Sequence, residues 1–283
     1  MKKVKICGVP EHFNLPWHMA IEEGIFEGQG IDLRWEAVPE GTGRMANMLA
    51  TGEVDLAIIL TEGIVRSIAD GNPSAIVQTY ISSPLLWGIH VAATNPITSL
   101  EELEGKVAAI SRFGSGSHLM AVVHAQERGW ALDELQFKVV DNLEGAVMAL
   151  SSGLADYFMW EHFTTKPIVD QGTFKRLGDF PTPWPCFVIA ANQYFLAQNP
   201  SLTTTVLQLI NDYTKEFRSI PSIDRTLANV YSQELEDIQK WLSLTRWSQQ
   251  MLTIEDLDRV VLQLRQLGLI TENETFPEFL WKG

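Results

Sequence analysis

The hydrophobic pattern switches repeatedly between two periods. Val4–Val9 and Ile31–Ala37 alternate apolar and polar at every second residue, which predicts strands. Pro16–Glu23 and Arg44–Ala50 read as helices, the first with Pro16 in its opening turn and the second stopped by Gly52. Gly24–Gly30 is a turn-rich connection. Val54–Leu60 is a continuous apolar run of strand length, and Thr61 is placed to cap a helix that ends at Asp70-Gly-Asn-Pro73. Strands and helices alternating at these lengths predict an α/β fold with a mostly parallel sheet flanked by helices.

Glu101 to Asp179 repeats this grammar. Ser99-Leu-Glu-Glu102 is a capping box for a short helix, and Val107–Ile110 is a strand. Ser111–His118 is a glycine–serine loop feeding a helix that stops at Gly129. Gln136–Val140 is a strand, Asp141–Ser152 a loop and helix, and Ala155–Met159 a strand running into Trp160-Glu161-His162, with a last short strand near Lys175–Leu177. Two stretches without Asp, Glu, Lys or Arg bracket this segment: Gly71–Leu100 and Phe180–Asn211. They contain near copies, His90-Val-Ala-Ala-Thr-Asn-Pro96 and Phe187-Val-Ile-Ala-Ala-Asn-Gln193. The expectation is a two-lobed body with residues 1–92 plus 190–283 as one lobe and 93–189 inserted as the other. The two copies would then be crossing strands that pair as a hinge; two buried strands of one large core is the alternative. Val206–Phe217, Asp224–Leu244 and Ile254–Leu267 carry apolar residues at helical spacing, Thr253 stands at a cap position, and the aromatic tail Phe276–Trp281 is expected to pack back on the body. No internal repeat is visible in the sequence.

Composition narrows the function. The chain of 283 residues is near the size at which single cores split, and 20% charged residues describe an ordinary folded domain. A net charge of −14 with no basic cluster argues against nucleic acid. The uncharged stretches do not read as membrane spans, because Pro73, Pro84 and Pro96 interrupt one and Pro181, Pro183 and Pro185 crowd the other. Cys7 and Cys186 form no framework and no zinc spacing, and no His pair suggests a metal. No apolar signal segment precedes the first strand, which predicts a cytoplasmic protein, or a periplasmic or lipid-anchored one whose signal has been removed.

In an open parallel sheet, ligands bind beyond the carboxyl ends of the strands. That rule collects the loops Glu11–Trp17, Glu40–Gly43, Thr61–Glu62, Ser111–His118, Asp141–Leu143 and Trp160–His162 around one expected cleft. Gly114-Ser-Gly-Ser-His118 lets backbone approach a ligand, with Ser115, Ser117 and His118 as side-chain donors; a plain turn with a serine cap is the competing reading. A dinucleotide fingerprint fails because Leu119 stands where the third glycine belongs. Thr42, within Gly41-Thr42-Gly43, offers matching donors or forms a simple turn. Asn14 lies in the same loop as Trp17, and His12 and His18 read as surface or core histidines. Trp17, Trp160 and Trp184 are candidates to stack on a flat ligand, or ordinary core residues. Glu62 and Glu161 follow strands in opposite lobes and could accept N–H groups of an aminopyrimidine or an amine, or serve only as acids at helix starts. Thr61 completes the candidate set. Were the site catalytic, Glu62, Glu161, His118 and His162 would be its acid–base candidates, with no role settled among them.

The segment Ser99–Lys106, the strand after it and Phe113-Gly-Ser-Gly-Ser-His118 resemble the second-lobe opening of type II periplasmic binding proteins. Met45–Asp55 and Pro16–Gly30 are similar to first-lobe segments of the same group, and the resemblance spans roughly residues 1–200. The branch it points to comprises the nitrate, sulfonate and taurine binders with the thiamine-pyrimidine-precursor proteins. It implies a solute-binding protein that closes two lobes on a small polar or heteroaromatic molecule, with an ABC permease as partner and no cofactor. The alternative is a cytoplasmic enzyme making a cofactor precursor of the thiamine-pyrimidine or menaquinone type. The cysteine-rich cluster of the fungal pyrimidine-forming enzymes is absent from this chain.

Overall fold

The computed structural model describes residues 1–271 and 279–283. Its first elements are β1 (Lys2–Gly8), α1 (Leu15–Glu22), β2 (Ile31–Ala37), α2 (Thr42–Thr51), β3 (Leu56–Leu60), α3 (Thr61–Ala69) and β4 (Ser74–Ile81). The alternation in β1 buries Val4 and Ile6 while Lys3 and Lys5 stay exposed. Gly52 ends α2 because it can adopt φ 71°, which lets its N–H reach back to the Leu49 carbonyl.

The chain then builds β5 (Leu86–Ala92), β6 (Val107–Ile110), α4 (Gly116–Glu127), β7 (Gln136–Val139), α5 (Leu143–Ser151), β8 (Tyr157–Glu161), α6 (His162–Asp170) and β9 (Phe174–Pro181). It continues as β10 (Phe187–Asn192), α7 (Gln193–Gln198), α8 (Pro200–Glu216), α9 (Ile223–Tyr231), α10 (Leu235–Leu244) and α11 (Ile254–Gln266). Among the described residues no helix is long and apolar enough to cross a membrane.

Two compact units result, Met1–Ser83 with Trp184–Gly283, and Pro84–Pro183. The first carries a sheet in the order β2-β1-β3-β10-β4, the second one in the order β7-β6-β8-β5-β9. In each, three parallel strands stand in the order second, first, third, followed by one antiparallel strand and a last strand that resumes the common direction. The architecture is α/β with two mostly parallel sheets, as the alternation predicts.

Several expectations need correction. The units divide at Ser83/Pro84 and Pro183/Trp184 rather than at 92/93 and 189/190, because all of β5 pairs with β8 and β9. The near-copy segments do not pair with each other. His90 lies in β5 of the second sheet, while Phe187–Asn192 is β10 of the first, between β3 and β4. They are equivalent strands in two sheets, out of register by three: Phe187 faces Leu60 at the end of β3, and it is Trp87, not His90, that faces Glu161 at the end of β8. Thr61 is the first residue of α3 and does not cap it. The segment Asp224–Leu244 is two helices, broken where Ser232 takes φ 51°. In the tail, Leu280 bridges Ile76 and the Trp281 N–H donates to the Ile76 carbonyl; Phe276 lies outside the described residues.

Candidate functional site

In the first unit, the carboxyl ends of β1 and β3 and the start of β10 share one sheet edge. Its central contact is at the start of α3. The Trp184 indole N–H donates to Glu62 Oε2 at 2.8 Å, the Thr61 hydroxyl donates to the Pro185 carbonyl at 2.5 Å, and the Thr61 N–H donates to the Cys186 carbonyl at 3.0 Å. Glu62 is 2% exposed, and its Oε1 has no hydrogen-bond partner. Burial, against the hydrogen bonds of its own backbone and Trp184, pushes its carboxyl up to about 7.

The start of α2 meets this one. Gly63 is bare where a Cβ would stand 2.1 Å from the Thr42 methyl, so the first turn of α2 lies against that of α3. The ring of Phe13 packs 5.1 Å from that of Phe187, whose strand partner is Leu60. Next to Phe13, Asn14 donates from Nδ2 to the Val9 carbonyl at 2.8 Å. That carbonyl can only accept, which fixes the amide orientation and leaves Asn14 Oδ1 as an acceptor that is buried and unpaired. Gly8 makes the arrangement possible, since a Cβ there would stand 2.9 Å from Asn14 Nδ2. Trp17 is fully buried, stacked on Phe26 with ring centroids 5.9 Å apart, which fits the core reading.

In the second unit the corresponding loops are closed on themselves. Ser115 is the N-cap of α4 and accepts from the His118 N–H; its hydroxyl lies 3.1 Å from that of Ser117, which accepts from the Ser111 N–H. His118 Nδ1 accepts from the Gly114 N–H at 3.1 Å, and its ring meets Phe137 edge-on. Glu161 caps α6, its Oε2 taking both the N–H (2.6 Å) and the hydroxyl (2.8 Å) of Thr164. Burial still raises its carboxyl above the ordinary range, because it outweighs those bonds. Trp160 is stacked on Phe158 at 5.3 Å and packs on the apolar cluster around Ala146 and Leu150.

A polar cluster in this unit went unanticipated. His90 is fully buried in β5, with Thr165 Oγ1 2.9 Å and Arg176 Nε 3.3 Å from its Nε2. Arg176 also donates to the His162 carbonyl, and His162 Nδ1 lies 2.7 Å from Asp179 Oδ1. Burial, then the Arg176 charge, lowers the His90 pKa to about 3. The one available signal was an ionisable residue inside an uncharged strand. His12 and His124 are likewise buried, their pKa values lowered to about 3 and about 4 chiefly by desolvation. Both cysteines are buried and outside any disulfide, and burial pushes the Cys7 thiol up to about 12.

Thus the structure brings Thr61, Glu62 and Trp184 into contact, with Thr42 beside the same helix start, and it places Asn14 at the start of α1. It gives Ser115, Ser117 and Glu161 partners of their own.

Residues 87–180 match the family described as Ca3427-like PBP. No curated protein matches the sequence. Among solved structures, the CA3427 gene product of Candida albicans, described as having the generic periplasmic binding protein fold, is 26% identical with a TM-score of 0.88, covering 97% of this chain and 92% of that one. The alkanesulfonate-binding protein SsuA from Xanthomonas axonopodis pv. citri, bound to MOPS, is 14% identical with a TM-score of 0.83, covering 99% and 98%. The periplasmic nitrate-binding protein NrtA from Synechocystis PCC 6803 is 13% identical with a TM-score of 0.71, covering 96% and 83%. The chain has the periplasmic-binding-protein fold.

Proposed function

We propose that this protein binds a small polar or heteroaromatic solute without transforming it, as the substrate-binding components of ABC importers do. The observation that carries the reading is Glu62: a carboxyl group 2% exposed, at a strand's carboxyl end, with one oxygen held by Trp184 and the other unpaired. A buried polar atom left without a partner costs free energy that a bound ligand would recover. The neighbours of the same fold support this direction, being named for sulfonate and nitrate binding. In the second unit Ser115 and Ser117 spend their oxygens on each other and on backbone N–H groups, which suits a scaffold better than a nucleophile.

Thermal-shift measurement and titration calorimetry against sulfonates, nitrate, aminopyrimidines and amino acids test it. A ligand at a hundredfold excess over its Kd stabilises the folded state by about 2.7 kcal/mol, a shift of roughly 5 °C or more for a chain of this size. No stabilisation by any class would overturn the reading, and turnover of a bound compound would move it to the enzymatic alternative. A cytoplasmic location and delivery to an ABC permease are the finer parts of the proposal. Cell fractionation and co-purification with a permease check them.

A further inference from the structure

We infer that the ligand carries an N–H group of an amine, amidine or amino-heterocycle, and that Glu62 Oε1 and Asn14 Oδ1 receive it in the first unit. The inference rests on the solute-binding reading and adds the chemical class of the solute. It starts from what the two side chains have already spent. Glu62 has given Oε2 to the Trp184 N–H, and Asn14 has used Nδ2 on the Val9 carbonyl. What remains on each, with Glu62 ionised, is an oxygen acceptor, without a partner, on a side chain 2% and 0% exposed. Glu62 is the second residue of α3, just past β3, and Asn14 is the N-cap of α1, in the connection that follows the neighbouring strand β1; next to Asn14, Phe13 packs on Phe187, the strand partner of Leu60.

Two buried acceptors call for a donor. An oxyanion placed against Glu62 would meet a carboxylate in a site of low dielectric, or force it to stay protonated. An ammonium or amidinium instead supplies N–H groups and an opposite charge, the strongest kind of hydrogen bond available there. The two acceptors therefore separate this chain from a site built for a bare anion such as nitrate. They are compatible with a ligand that also carries an acidic group elsewhere, since the helix starts beside them, α1, α2 and α3, lack side-chain caps.

The test is titration calorimetry with probe pairs differing by one amino group: an aminopyrimidine against pyrimidine, taurine against ethanesulfonate, glycine against acetate. The expected result is that at least one amino member binds about tenfold or more tighter than its partner, as a charge-assisted hydrogen bond implies. Glu62→Gln should bring that pair to within about twofold, because the amide keeps an oxygen for Trp184 and turns an NH2 toward the ligand. Circular dichroism of Glu62→Gln confirms that it folds; should it not, Asn14→Ala, which removes the second acceptor and should narrow the preference for the amino probe, carries the same test. Equal binding of both members of every pair that binds overturns the inference while leaving the solute-binding reading intact. Failure of all six probes, with binding of some other solute that lacks N–H donors, also overturns it. Failure of every solute overturns the reading beneath it.

Discussion

Both units start three helices from the same edge of the same strand order, and they finish those starts differently. In the second unit every start is closed by its own N-cap side chain: Ser115 accepts from the His118 N–H, Asn142 from the Gly145 N–H at 2.9 Å, and Glu161 from the Thr164 N–H. In the first unit the N-cap residues are Asn14, Gly41 and Leu60, and none makes a side-chain cap bond. The two buried glutamates follow suit. Glu161 is enclosed by Thr164, while Glu62 keeps a free oxygen. Self-satisfied helix starts stabilise a fold, whereas open ones are available to a ligand. The difference leaves the open acceptors at these helix starts, Glu62 Oε1 and Asn14 Oδ1, in the first unit.

The sharpest way to break this comparison is to exchange residues at equivalent positions. Gly88 in β5 corresponds to Val188 in β10, since the preceding residues, Trp87 and Phe187, face the last residues of β8 and β3. A Cβ at Gly88 would stand 2.6 Å from His90 Cε1, so Gly88→Val should cost about 3 kcal/mol, read as a lower urea midpoint. An unchanged midpoint would mean that the His90 cluster rearranges freely.

The glutamates give the next effect. Glu62 has a folded pKa near 7, raised from 4.5, so its contribution to stability is full below pH 4.5 and is lost as pH rises through 7. That shift amounts to roughly 3 kcal/mol at most, and Glu62→Gln should remove it. Denaturation of the two proteins from pH 4.5 to 8 should show the wild type losing ground to the variant; parallel curves would place Glu62 in water. Glu161→Leu should instead destabilise by about 2 kcal/mol, because it strands the Thr164 N–H and hydroxyl. If Glu62→Leu costs as much as Glu161→Leu at pH 8, the contrast between open and closed starts fails.

The smallest expected effect is at the start of α5. Asp141 holds φ 65°, where the matching connection before α2 has Gly41 at φ 78°. Asp141→Gly should relieve the left-handed strain by about 0.5 kcal/mol, a shift near 1 °C in Tm. A clear loss would show that the Asp141 side chain contributes more than its backbone costs.

The sequence made β2 and β6 legible residue for residue, the first as a period of two opening after Gly30, the second as a short apolar run between Lys106 and the Ser111 loop. It placed the crossings six to nine residues late. An uncharged run announces burial, yet burial looks the same whether a strand joins one sheet or another, and β5 and β10 were assigned from composition alone. The segment Asp224–Leu244 keeps its spacing of three and four through Ser232, so periodicity could not show the left-handed break. For the site, Glu62 and Trp184 were each visible as candidates, but their bond spans 122 positions and no local pattern encodes it. The glycine–serine loop shows a related limit of local pattern. Serines next to glycines have hydroxyls to offer, and only the folded loop shows that those of Ser115 and Ser117 are engaged with each other and with the Ser111 and His118 N–H groups.

The hydrogen bond from the Cys186 N–H to the Ser83 carbonyl, at 3.3 Å, ties together the two points where the chain leaves and rejoins the first unit. Topologically, the second unit is thus a hundred-residue loop between neighbouring anchor points, and a turn of a few residues could close the gap it would leave. A chain rejoined across that gap would keep the Glu62–Trp184 contact in the host, since Trp184 lies on the host side of the junction.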